Sequence, residues 1–299
     1  MSSIQTGKRI ALKNILFLTD FSDSSAAAAP FASSIARAYG SVLHVLHVLM
    51  PSPFTYMAPE AAVALMDSEE DRAKEEMRRV EAQFSGLPSE TAIERGGSVW
   101  PVLSDVLQRQ EFDLIVLGTH GRTGMQKLLL GSSAEEVFRR AHVPVLTIGP
   151  SVHVGAHSGG RFRCVLFATD FNAVSTAAAP YAVSLAQENQ SRLVLLHVHR
   201  KPKSGKSDRE NEQSIAESLH QLHELVPAEA ELWCRPEAMV RHGDAAREIL
   251  AAADDCRADL IVLGVRGMER LAAAAARLDR GITYQVVVNA RCPVLTVRG

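Results

Sequence analysis

Short, continuously apolar runs alternate along this chain with longer stretches whose apolar residues recur every three or four positions. Ile15-Leu16-Phe17-Leu18 and Leu114-Ile115-Val116-Leu117 are the clearest runs. Strands covered by helices on both faces read this way, whereas strands with one wet face alternate. The pattern predicts strands near 14–19, 42–49, 91–95, 113–118 and 144–149, and helices near 23–39, 60–85, 98–110 and 132–141. Such alternation points to β-α units and a parallel sheet. The segment 67–79 is dense in both signs of charge, which suits the solvent face of a helix rather than a binding patch.

The same pattern then repeats. Leu16-Phe17-Leu18-Thr19-Asp20-Phe21 returns as Leu166-Phe167-Ala168-Thr169-Asp170-Phe171, and Leu46-His47-Val48 as Leu196-His197-Val198, both offset by 150 positions. Asp113-Leu114-Ile115-Val116-Leu117-Gly118 returns as Asp259-Leu260-Ile261-Val262-Leu263-Gly264 at an offset of 146, and Pro144-Val145-Leu146-Thr147 as Pro293-Val294-Leu295-Thr296 at 149. Matched blocks in one order mean a duplication with small insertions and deletions. The expected domains are 1–150 and 161–299, joined by a segment without apolar period that reads as a flexible linker. The second repeat predicts strands near 163–168, 192–198, 238–242, 259–264 and 293–297, with helices near 173–189, 211–225, 244–257 and 282–290.

Charge narrows the classes of partner. A formal net charge of -2 in 299 residues leaves no electrostatic footprint for nucleic acid or an anionic membrane. No apolar run reaches the roughly 18–20 residues of a bilayer span. Residues 1–13 are polar, so no secretory signal is expected and a cytoplasmic protein is. The four cysteines, Cys164, Cys234, Cys256 and Cys292, are widely spaced and read as free thiols in a reducing compartment.

The segment from Gly118 to Ser133 carries the most chemistry. It follows a buried strand, contains Gly121 and Gly131, and leads into a helix at Ser132. Glycines there let backbone approach a ligand, and amides at the next helix N-terminus face a phosphate with the helix dipole behind them. Ser132 or Ser133 can cap that helix and offer a hydroxyl. Asp20, at another strand end, either caps the helix beginning near Ser22–Ser24 or holds ribose hydroxyls or a metal.

With these residues in place the sequence resembles the universal stress protein family, specifically its tandem-domain members. The family's nucleotide signature, Gly-x2-Gly-x9-Gly-Ser/Thr, stands complete as Gly118-x2-Gly121-x9-Gly131-Ser132. The Thr-Asp-Phe-Ser segment and Leu-His-Val strand match its ATP-binding branch. The resemblance implies an α/β fold with two tandem open parallel five-stranded sheets of order 3-2-1-4-5, helices on both faces. It implies an adenine nucleotide as ligand, ATP with Mg or Mn, and a role in stress response. It also implies pairing of the two domains through the last strand as an intrachain pseudo-dimer, with a homodimer left open. Carried over, Asp20 would hold ribose or metal-bridged phosphate, and the main chain of Val48 would meet adenine. Gly118 and Gly121 would line ribose and phosphates, while Gly131, Ser132 and Ser133 would bind phosphates. Arg122 and Lys127 lie in the same loop and either neutralise phosphate charge or are solvated.

The second repeat departs from this. Asp170, Val198, Gly264 and Gly267 survive, but 13 residues separate Gly267 from Gly281 and Ile282 takes the hydroxyl position. The alanine run 271–276 favours helix over a phosphate loop, so no triphosphate site is expected there. The eleven histidines include no His-Glu-x-x-His or Cys/His grouping, and the matched pair His47 and His197 suits packing rather than metal binding. A nucleotide-binding regulatory protein is thus the leading expectation. The alternative is an interaction module of the same fold that binds protein or a small ligand. No nucleophile–base pair supports a dedicated enzyme, although slow ATP cleavage stays open.

Overall fold

A computed structural model describes residues 10–50, 59–119, 130–152, 161–200, 208–234, 236–265 and 281–299. The chain divides into two compact units, one spanning Leu12–Pro150 and one holding Ser151–Gly299.

In the first unit the elements run β1 (Asn14–Leu18), α1 (Asp23–Tyr39), β2 (Val42–Leu49), α2 (Pro59–Ala82), β3 (Ser89–Arg95), α3 (Val99–Arg109), β4 (Leu114–Gly118), α4 (Ser132–Arg140) and β5 (Val145–Ile148). All strand pairs are parallel, and the strands lie in the order β3-β2-β1-β4-β5. Successive strand residues point to opposite faces, yet Ile15, Leu16 and Phe17 are all at most 1% exposed. Both faces of the sheet are therefore covered, as the unbroken apolar runs predict. Phe17 packs edge-on against Phe84 with ring centroids 5.7 Å apart. Truncating such a buried ring costs about 3–5 kcal/mol. The outer strand β3 is largely exposed and carries Glu90, Glu94 and Arg95, charges that discourage edge-to-edge association.

Helix α1 begins at Ser22, whose hydroxyl accepts from the Ser25 amide, and ends at Gly40 in a left-handed conformation with φ 66°. Its buried residues combine the small Ser25, Ala28, Ala29, Ala32 and Ala36 with the large Phe31 and Ile35, which fill the space against the sheet. At the amino end of the sheet, the Asp113 carboxylate accepts from the amides of Lys13 and Asn14 at 2.7 and 2.9 Å, tying the start of β1 to the start of β4.

The second unit repeats the plan: β6 (Cys164–Thr169), α5 (Ala173–Thr176), α6 (Ala179–Asn189), β7 (Arg192–His199), α7 (Asp208–Glu224), β8 (Glu237–His242), α8 (Ala245–Cys256), β9 (Leu260–Val265), α9 (Ile282–Asn289) and β10 (Val294–Arg298). Its strand order is β8-β7-β6-β9-β10, again all parallel. The latch recurs, with Asp259 accepting from the amides of Arg163 and Cys164 at 2.8 and 3.1 Å.

One expected helix is different. The single helix near 173–189 is interrupted between Thr176 and Ala179, whereas its counterpart α1 runs unbroken past Pro30. Thr176 stands where the first repeat has Ala26, and its hydroxyl bonds back to the carbonyls of Asn172 and Ala173 at 3.1 Å each. Such back-bonding bends helices, and Pro180, lacking an N–H, does not repair the break. A short 3-10 turn over Ala228–Leu232 also forms that the apolar pattern does not foretell. The linker 153–160, the lysine-bearing stretch 201–207 and the alanine run 271–276 lie outside the described residues.

Candidate functional site

In each sheet the order in which strands are laid down reverses between β1 and β4, or between β6 and β9. Open α/β sheets bind ligands outside the carboxyl ends of the strands at this switch point. In the first domain Leu18 of β1 is level with Leu46 of β2 and Leu117 of β4. Asp20, Val48 and Gly118 therefore gather at one end of the sheet.

The corner leaving β1 is tightly specified. The Thr19 hydroxyl accepts from the Phe21 amide at 3.1 Å and donates to Ser25 Oγ at 3.1 Å. Phe21 is left-handed, with φ 62°, a conformation costing a residue with a Cβ about 1–2 kcal/mol. Its ring lies over His47 at 4.2 Å, and His47 Nδ1 donates to the Thr19 carbonyl at 2.8 Å. That bond fixes the proton on Nδ1, because a carbonyl only accepts. The second domain copies every part: Phe171 has φ 62°, its amide donates to the Thr169 hydroxyl at 3.0 Å, and His197 Nδ1 donates to the Thr169 carbonyl at 2.8 Å. The matched histidines thus pack and hold the corner.

The corner aims Asp20. Its Oδ1 accepts from the Ser22 amide at 3.0 Å and from the Ser22 hydroxyl at 2.5 Å. Ser22, not Asp20, is the cap of α1; Asp20 holds the cap from the sheet side while remaining partly exposed. In the second domain Asp170 accepts from the amide and side chain of Asn172, at 3.3 and 2.7 Å. Burial raises the Asp170 pKa, but hydrogen bonds from Ser175 and Asn172 outweigh it and hold the carboxyl below its ordinary range.

Gly118 is tied to α1. A Cβ there would stand 2.5 Å from the Ser24 carbonyl oxygen and 2.6 Å from the Ser24 hydroxyl oxygen. Gly264 is crowded in the same manner by Val174 and Ser175. Next in the chain, Thr119 is buried, and its amide donates to the Ile148 carbonyl at 3.0 Å. Its own carbonyl accepts from the Gly131 amide at 2.7 Å, which brings the two ends of the glycine-rich loop together. Gly131 is the N-cap of α4, with φ -58° and ψ 146°, and no side chain caps the helix. Ser132 and Ser133 are the first two helical residues, so neither serves as the cap that their composition suggests. Ser132 is exposed and Ser133 half-exposed. Gly121, Arg122 and Lys127 lie outside the described residues.

Gly281 has nearly the same conformation as Gly131, φ -61° and ψ 148°, and caps α9 without a side-chain bond. The backbone frame is thus shared, but Ile282, 49% exposed, stands where the first domain has Ser132. An aliphatic side chain at that place offers no hydrogen bond to an anion.

Among the described residues, no group of three or more His, Cys, Asp or Glu side chains could hold a metal ion. A divalent cation accompanying a nucleotide needs less. Mg binds through one or two carboxylates, phosphate oxygens and water, and Asp20 is a hard oxygen donor of that kind. Among the described residues, no helix is long and apolar enough to cross a membrane.

Two doubly wound α/β domains, each with its corner and its glycine-capped helix at the switch point, define the class. The model of the universal stress protein family matches residues 11–149 and again 161–298, and the chain belongs to that family. It is 32% identical over 150 residues to a universal stress protein of Methanocaldococcus jannaschii, covering 49% of this chain and 87% of that one. Against a universal stress protein of Mycolicibacterium smegmatis the identity is 26% over 300 residues, covering 95% of this chain and 96% of its relative. In fold it is similar to a solved universal stress protein from Archaeoglobus fulgidus, with TM-score 0.69, 20% identity, and coverage of 95% of this chain and 98% of that one.

Proposed function

We propose that the first domain binds an adenine nucleotide, ATP with Mg or Mn, and that the protein is a regulatory binding protein of the stress response rather than a dedicated catalyst. The observation that carries this is the meeting of three features at one sheet end. Asp20 is held at the exit of β1, the Gly131 amide closes the loop onto Thr119, and the first turn of α4 lacks a side-chain cap. Unsatisfied first-turn amides favour an anion, and the residues around them are those of the complete glycine signature. On this reading the main chain of Val48 would meet adenine and Gly118 would line the ribose, while Gly121 and Arg122, carried over from the glycine signature, lie outside the described residues. Ser132 and Ser133 meet the phosphates, and Asp20 faces the ribose or the cation.

The test is an equilibrium titration of the full chain with ATP in Mg, together with mass spectrometry of whatever nucleotide co-purifies. The reading expects one ATP per chain, because Ile282 removes the hydroxyl from the second domain. Two equivalent triphosphate sites, or no nucleotide affinity with the fold intact, would overturn it. The second outcome favours the alternative, a non-nucleotide interaction module.

The last strands, β5 and β10, are apolar and each ends its own domain's sheet. We read them as the pairing elements of an intrachain pseudo-dimer, since an apolar edge is normally covered or paired. Residues 1–150 expressed alone should self-associate; a stable monomer at high concentration counts against this pairing.

A further inference from the structure

The four cysteines are far apart in sequence, yet two of them meet. Cys164 is the first residue of β6 and Cys256 the last of α8. Asp259, three residues beyond Cys256, donates its amide to the Cys164 carbonyl at 2.8 Å, and Arg192, beside Cys164 in the sheet, reaches the Cys256 carbonyl. The two cysteines are therefore neighbours whose thiols perturb one another, with Cys164 buried and Cys256 partly exposed. The first domain gives independent support for this convergence. By the repeat offsets, Cys164 matches Asn14, Cys256 matches Gln110, and Val194 matches His44. His44 Nε2 lies 3.3 Å from Asn14 Oδ1 and 3.2 Å from Gln110 Nε2, so side chains at the two positions reach one common atom. In the second domain the bridging imidazole is replaced by the fully buried Val194, and two sulfurs remain.

The surroundings make the pair unequal. Arg192 is the cross-strand partner of Cys164, and its guanidinium reaches the Cys256 carbonyl at 3.5 Å while paired to Glu237. The neighbouring Cys164 thiol lowers the Cys256 pKa; burial opposes it and the Arg192 charge assists it. Cys164 is driven upward by that same interaction and then by burial. The end of a helix disfavours an anion, and Arg192 offsets this. Cys256 is thus the more accessible thiol of the two and the one whose pKa is lowered, with a buried thiol behind it.

We propose that Cys164 and Cys256 form a reversible, peroxide-oxidisable dithiol, a modification site in the second domain independent of nucleotide binding in the first. The Cys256 thiolate attacks a hydroperoxide oxygen: an S–O bond forms, the O–O bond breaks, and hydroxide or alkoxide leaves and takes up a proton. Cys164 sulfur then attacks the Cys256 sulfenic sulfur. The S–S bond forms, the S–O bond breaks, and hydroxide leaves with the Cys164 proton as water. Two thiols lose two electrons and the peroxide gains them, so no further reactant is needed. Thiol reagents restore the pair by exchange.

The experiment treats the full chain with a small excess of hydrogen peroxide and reads intact mass, free thiols after denaturation, and non-reducing peptide maps. The expected result is a loss of 2 Da, a fall from four free thiols to two, and a Cys164–Cys256 cross-linked peptide, all reversed by dithiothreitol. Cys164→Ser should instead leave Cys256 as a sulfenic acid that dimedone traps, and Cys256→Ser should keep its remaining thiols reduced. Accumulation of oxygen on Cys256 in the wild-type chain without cross-linking, cross-linking to Cys292 instead, or resistance of all four thiols would each overturn the proposal. The wild-type map decides the matter even if a variant fails to fold.

Discussion

Gly118 and Ser24 approach so closely that a single added carbon at the first would lie 2.5 Å from the carbonyl oxygen of the second. The glycine opening the nucleotide signature therefore has a packing duty before any ligand arrives. It lets the first turn of α1 rest on the end of β4. Gly264 has the same duty in the second domain, where the loop beyond it is altered.

Gly118→Ala should accordingly destabilise the first domain by about 1–3 kcal/mol, the usual range for overpacking, even without nucleotide. Gly264→Ala should do the same to the second domain. The two tryptophans, Trp100 and Trp233, fall one in each repeat, so urea unfolding followed by fluorescence in Trp233→Phe or Trp100→Phe backgrounds reads each domain separately. Wild-type midpoints in both glycine variants would show that α1 and α5 move aside freely.

Asp20→Asn keeps an oxygen that can accept from Ser22 but removes the charge. Folding should be little changed, while affinity for ATP should fall at least tenfold in Mg and much less in EDTA. Calorimetric titration under both conditions makes the comparison. Equal losses with and without the cation would place Asp20 at the ribose instead.

Thr19→Val replaces the hydroxyl that accepts from the Phe21 amide and donates to Ser25. A part-buried donor left without its acceptor costs up to about 1–3 kcal/mol, and the left-handed Phe21 then keeps its stack on His47. The expected result is that loss of stability in the first domain, with Thr169→Val showing a matching loss in the second. Unchanged unfolding free energies would mean that the Phe–His stacks hold these corners by themselves.

Asp170 predicts a dependence on pH. Its folded-state pKa lies below its ordinary value, so its charge contributes stability above the ordinary aspartate range and loses it as pH falls through the folded value. Asp170→Asn should therefore be less stable than wild type near pH 7, and the difference should shrink toward zero in strong acid. A difference that is constant from pH 7 to pH 3 would assign it to lost hydrogen-bond geometry rather than charge.

Much of this architecture was legible in the chain. The runs at 15–18 and 114–117 are apolar on both faces because both are covered, and Ser22 and Gly40 mark the ends of α1 in residue type alone. The matched histidines were legible as packing residues, but not their bond to the residue before Asp20. That bond depends on β2 lying in register beside β1. Nor could Gly118 reveal its neighbour, because Ser24 is close only after α1 folds back across β4. The break after Thr176 was missed for a local reason. A threonine hydroxyl competes with the backbone for carbonyls, and apolar periodicity does not register it.

The carboxylate latches have a consequence for how the chain assembles. Asp113 reaches back 100 residues to Lys13, and Asp259 reaches back 96 to Arg163. The central strand of each sheet therefore waits for its neighbour until most of its domain has been synthesised. At roughly 5–20 residues per second, ribosomal elongation puts about 7 to 30 seconds between the emergence of Asp113 and that of Asp259. The first domain can complete its central pairing before the competing Asp259 emerges. Order of emergence, rather than any difference between two nearly identical latches, then keeps each carboxylate with its own strand. A circularly permuted chain that begins within the second repeat would lose that separation in time, and exchange of strands between the copies would be its characteristic misfolded product.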